Sequence, residues 1–238
     1  MVPRLALYLV MPRMLAPLPP DRRLRRGAQL IAGLILYGVS AGMIVLAGLG
    51  LDPWDVLHQG LSRTFGLGLG TWAIIASLVV LLLWLPLRQR PGIGTLCNAV
   101  LVGVVIDLML SIFHPPHAPG ERIALLLAGV AGNGLATGFY IGAGLGPGPR
   151  DGLSVGIAGR GHSMRVVRTT IEGTVLATGF LLGGSIGIGT LLYALAIGPI
   201  THWTIPALAI GRRSRTRARA GLGTSGPSHL HRQLSRDR

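Results

Sequence analysis

The sequence predicts an all-α, polytopic membrane bundle of six transmembrane helices, built as two inverted three-helix repeats with two short additional helices. Three observations predict it. Long apolar runs recur along the chain, the arginines fall between and outside those runs, and the first half of the chain is repeated in the second. Only 13% of the 238 residues are charged, against about 25% in soluble domains. The mean hydropathy is positive. A helix of roughly 20 apolar residues crosses a hydrocarbon core about 30 Å thick.

Six runs meet or approach that length: Ala28 to Leu51, Leu69 to Leu87, Ile93 to Phe113, Ile123 to Leu145, Val166 to Gly183 and Ile188 to Gly211. The fifth is the most polar, because Thr169, Thr170, Glu172 and Thr174 occupy its first half. The organisation expected is a basic N-terminal arm over 1–27, a first repeat over 28–113, and an external loop over 114–122. A second repeat over 123–211 and a basic disordered tail over 212–238 follow. The first 26 residues lack the h-region and cleavage site of a signal peptide, and Met14 is an alternative start.

The formal charge of +14 would suit a nucleic-acid binder. The distribution excludes that partner, since the basic residues flank apolar runs, as the positive-inside rule requires. All 22 basic residues are arginine, and all but Arg63 and Arg122 fall on one side if the N-terminus is cytoplasmic. Both termini are then cytoplasmic, the lipid bilayer is the main partner, and the arginine-rich segments face anionic headgroups. The single cysteine, Cys97, lies within an apolar run and reads as a packing residue.

The repeat appears on shifting the sequence by about 96 residues. Gly38 and Gly42 then meet Gly134 and Gly138, and Ala47-Gly48-Leu49-Gly50 meets Ala143-Gly144-Leu145-Gly146. Pro53, Asp55 and Leu57 meet Pro149, Asp151 and Leu153. Farther on, Ile93-Gly94-Thr95 matches Ile188-Gly189-Thr190. Glycine, proline and aspartate dictate backbone shape, so these matches describe a shared fold. Three spans per unit make the second copy enter the membrane from the opposite face, which is an architecture of secondary transporters.

Each unit contains a helix start after a glycine-rich span end. In Asp52-Pro53-Trp54-Asp55, Asp52 can cap, Pro53 fits the first position, and Asp55 suits the dipole. Gly148-Pro149-Arg150-Asp151 repeats the pattern. The two short helices read either as half-helices re-entering the bilayer from opposite faces or as capped helices lying at the interface. Candidate ligand or ion residues are Asp52, Asp55 and His58 on the first, and Asp151 on the second. Asn98, Asp107, Asn133 and Glu172 lie within spans, where polar groups are costly. Glu172 also stands one turn from Arg168, and Asp107 lies close to a span end. The glycine spacings from Gly38 to Gly42 and from Gly134 to Gly138 allow close helix packing, with homodimerisation secondary.

No metal-ligand cluster, phosphate loop or nucleophile elbow occurs, so neither an enzyme nor a cofactor is expected. The motifs Pro53-Trp54-Asp55-Val56-Leu57-His58 and Gly92-Ile93-Gly94-Thr95, with Asn98 and Asp107 beyond them, resemble the YczE-like branch of the YczE/YyaS/YitT bacterial membrane proteins. The resemblance runs from about Arg25 to Gly211. It implies an inner-membrane protein and an exporter of small molecules, without naming a substrate. The functional expectation is a small secondary transporter. Its rival is a non-transporting scaffold for partner enzymes.

Overall fold

A computed structural model describes Ala16 and residues 19–210. The tail from Gly211 onward and most of the N-terminal arm lie outside the described residues. Among the described residues eight helices follow in order: α1 (Arg23–Ala47), α2 (Pro53–Phe65), α3 (Leu69–Leu87), α4 (Ile93–Ile112), α5 (Pro119–Gly142), α6 (Pro149–Ala158), α7 (Met164–Leu181) and α8 (Ile188–Leu208). Among the described residues there is no strand. Of these eight, five are long and apolar enough to cross a membrane: α1, α3, α4, α5 and α8. The chain is therefore a polytopic helical membrane bundle. Helix α7 forms where the fifth span was expected but is not among those five, as its threonines and its Arg168–Glu172 pair would suggest.

Helices α1 and α5 end before the predicted Leu51 and Leu145. Their glycine-rich ends belong to linkers instead. Gly48 and Gly50 in one, and Gly144 and Gly146 in the other, all have positive φ. At Gly50 a side chain would also collide: its Cβ would lie 2.6 Å from the Gly187 amide. Only glycine gives the chain both the conformation and the room.

The tightest pairing is between α1 and α5, with α4 against α1 and α8 against α5. Gly38 and Gly42 receive Val105 and Met109 of α4, whereas Gly134 and Gly138 receive Ile200 and Thr204 of α8. The glycine spacings thus serve packing inside the chain. At one end, buried Arg26 donates to the Ala143 carbonyl at 2.7 Å and pairs with Asp21, whose carboxyl it holds below the usual range. At the other end, Arg122 donates to the Ala47 carbonyl at 2.8 Å. Arg26 and Arg122 are themselves 96 residues apart, as are Ala47 and Ala143.

Other contacts are exchanged in the same way. The Gly94 amide donates to Leu145 at 2.9 Å and the Gly189 amide to Leu49 at 2.8 Å. Each short helix lies against the other half's second long helix, α2 on α7 and α6 on α3. Trp84 of α3 packs on Gly152, and its indole N–H donates to the Pro149 carbonyl at 3.0 Å. Gly179 of α7 lies in the corresponding place against Val56 and Leu57.

Candidate functional site

The two short helices meet by their N-terminal turns. Their C-terminal ends lie at opposite ends of the bundle. At the α2 end, Thr64 donates to Leu182 at 3.0 Å and Arg63 donates to Gly183, beside the C-terminus of α7. Beyond the α6 end, Arg160 donates to Pro86 at 2.6 Å, beside the C-terminus of α3. At about 1.5 Å per residue, 13 and 10 residues span roughly 20 and 15 Å, too short to cross a bilayer. Their N-terminal turns approach each other within the bundle, where Arg150 of one reaches Asp52 of the other.

Asp52 is the N-cap of α2 and is buried. One carboxylate oxygen accepts from the Trp54 amide at 2.8 Å and the Asp55 amide at 3.0 Å. Its other oxygen stands 3.7 Å from the Arg150 guanidinium in the first turn of α6. This ion pair bridges the two short helices. Asp55 is buried one turn from His58, with 3.1 Å between the carboxylate and Nδ1. Asp151 accepts from the Tyr140 hydroxyl at 2.7 Å. Arg150 also donates to the Tyr37 hydroxyl, and its charge stands 5.7 Å from the centre of that ring.

A small cavity of about 60 Å³ lies at this junction. Asp52, Asp55, His58, Asn98, Arg150 and Asp151 all border it. A second, of about 310 Å³, lies on the other side of Trp54 and Arg150. It is bordered by Asp151, Arg168, Glu172, Tyr193 and Thr201. Three carboxyl groups, one guanidinium and the His58 imidazole border the first cavity. Such a site suits a cation or a proton, and its phenol, indole and amide groups can orient one.

The structure thus brings together Asp52, Asp55, His58, Asn98 and Asp151. Glu172 borders the second cavity while paired with Arg168 at 2.8 Å. Asn133 is fully buried away from both cavities and accepts from the Tyr193 hydroxyl at 3.1 Å. Its Nδ2 is the buried side-chain polar atom without a partner among the described residues. Asp107 borders neither of these cavities. It accepts from the Gly70 amide at 2.7 Å and from the Thr71 amide and hydroxyl at 2.8 and 2.7 Å. Its carboxylate caps α3 from the neighbouring helix, satisfying first-turn amides that a residue at Gly68 cannot.

Sequence reasoning missed Tyr37, Tyr140, Arg150 and Tyr193. The repeat register held a signal for two of them: it places Tyr37 over Asn133 and Asn98 over Tyr193. Each half therefore carries one tyrosine and one asparagine between its first and third long helices, with the two types exchanged.

A membrane-embedded helical bundle with a polar interior junction is the class this geometry defines. Residues 24–206 match the family of unknown function DUF6198, and the chain belongs to that family. It is 40% identical to an "Uncharacterized protein" of Haemophilus influenzae over 76% of this chain and 83% of that one. It is 36% identical to the "Uncharacterized membrane protein YczE" of Bacillus subtilis, over 83% and 94%. It is 29% identical to "Uncharacterized protein YyaS" of the same organism, over 73% and 89%. No solved structure matches.

Proposed function

We propose that this protein is a secondary transporter of a small cationic molecule, coupled to a proton or another cation, without covalent chemistry. The observation that carries the reading is the meeting of two half-helices, one from each half of the chain, on one interior cavity bordered by three carboxyl groups. Broken backbone at membrane depth is tolerated where it lines such a cavity. The exchanged contacts of Arg26 and Arg122, and of Gly94 and Gly189, support two inverted repeats related by an axis in the membrane plane. On this reading α7 is the fifth of six spans. Thr174 and Thr178 bond back to the Thr170 and Thr174 carbonyls of their own helix, both at 2.8 Å, which lowers their cost in lipid.

The exposed Arg22, Arg23, Arg25, Arg88, Arg90 and Arg160 gather at one end of the bundle. That end faces the cytoplasm of a bacterial inner membrane and its anionic headgroups. Two measurements test these statements. Thiol labelling from outside should reach Ile186→Cys but not His162→Cys; equal labelling of both would remove α7 from the count of spans. The purified protein in liposomes should move an organic cation at a rate set by the pH gradient. A screen of such cations at both gradient signs, with no flux above empty liposomes, would reject the transporter reading.

A further inference from the structure

The two cavities are counterparts of each other in the repeat register. Ser77, Asn98, Gly103 and Ile106 border the first, and Glu172, Tyr193, Gly198 and Thr201 occupy the corresponding places on the second. Trp54 and Arg150, which correspond to each other, stand between them. What differs is the seam. In the first half, α3 packs closely on α4: a Cβ on Gly103 would collide with the Gly70 carbonyl and with Ile74, at 2.6 Å from its Cγ1. The Asp107 cap fastens the same seam. In the second half, α7 and α8 have no comparable packing. A Cβ on Gly198 would meet nothing within 4 Å. Thr169, the counterpart of Ile74, is exposed, and His202, the counterpart of Asp107, borders a separate shallow depression beside Gly198.

We infer that the gap between α7 and α8 is the open access route to the junction of the short helices. It closes when α7 docks on α8 at Gly198, as α3 docks on α4 at Gly103, while the latter seam parts. The inference rests on the transport reading for its purpose. It rests on the unequal seams for its geometry, since two copies of one unit are able to adopt either packing. With the arginine-bearing end in the cytoplasm, the arrangement described here is open inward, because the free seam lies beside the start of α7. The route is bordered by the Arg168–Glu172 pair, Thr201 and Asp151, which suits a small hydrophilic cation.

The test is a disulfide that the open arrangement cannot make. In a Cys97→Ser background, Thr169→Cys and Gly198→Cys are introduced together and the protein is placed in liposomes with copper phenanthroline. A disulfide needs Cβ atoms about 3.5–4.5 Å apart. The space around Gly198 contains no neighbour within 4 Å, so most of that range is empty until α7 closes. The expected result is loss of maleimide labelling at both thiols. Two thiols that remain fully reactive after oxidation would overturn the inference. A second variant, Gly198→Leu, fills space that is empty in the open form. It should leave the thermal midpoint unchanged and lower flux at least about tenfold by blocking closure. Unaltered flux in that variant would equally overturn the inference. Should the wild-type chain carry no cation at all, the disulfide still reads the closure, so the two readings fail separately.

Discussion

Asp55→Asn and Asp151→Asn should each lower cation flux in liposomes about a hundredfold while leaving the fold intact. A charge left without its counter-charge at membrane depth costs about 2.5–3.5 kcal/mol, and about 1.4 kcal/mol is a factor of ten. Neutralising either carboxylate removes that counter-charge from the junction of the half-helices. The local structure tolerates the exchange. An asparagine oxygen at position 151 can still accept from the Tyr140 hydroxyl, and one at position 55 can still accept from His58. Asp52→Asn makes a useful comparison, since its carboxylate caps α2 and its amide would cap it as well. Flux at the wild-type level in purified, folded Asp55→Asn and Asp151→Asn would show that these carboxylates serve only the helix starts.

Trp84→Ala should cost about 3–5 kcal/mol of stability, the range for truncating a buried large aromatic. Trp84 is 2% exposed and is the side chain against which Gly152 packs, so nothing nearby can fill its volume. In lipid the loss is of packing and of a hydrogen bond, because apolar transfer contributes little between helices there. Trp84→Phe separates the two contributions: it keeps most of the ring and loses the bond to Pro149, worth about 1 kcal/mol. Thermal unfolding in detergent measures both. A shift for Trp84→Ala no larger than that for Trp84→Phe would mean that α6 is not held by this side chain.

The helices were legible because apolar length and glycine and proline punctuation are local properties. Leu69–Leu87 was read to the residue, and both short helices were found from a proline in the first position. Two things were not legible. One was whether the short helices enter the bundle, since their caps look the same at a surface; the answer depends on Arg150 reaching Asp52 from 98 positions away. The other was the role of Asp107, whose partners Gly70 and Thr71 belong to another helix. Reading Asp107 alone, an intramembrane carboxylate signals function; reading it beside the uncapped start of α3, it signals a cap supplied at a distance. Tyr37 and Tyr140 escaped because a tyrosine within a span counts toward its apolar length. The acidic residues of the junction were visible because charge in an apolar context stands out by itself.

The exchange of partners between halves also governs how the chain matures as it leaves the ribosome. Trp84 is synthesised 68 residues before Gly152, the surface it packs on. At about 5–20 residues per second, that leaves α3 in lipid for roughly 3–14 s with a large flat side chain and no seat for it. The linker at Gly50 waits longer, because the Gly187 backbone that confines it is 137 residues away. Insertion and tertiary closure are therefore separate events in this protein. A nascent chain stalled after α4 would be threaded into the bilayer yet unfinished, exposed to membrane proteases until α6 arrives.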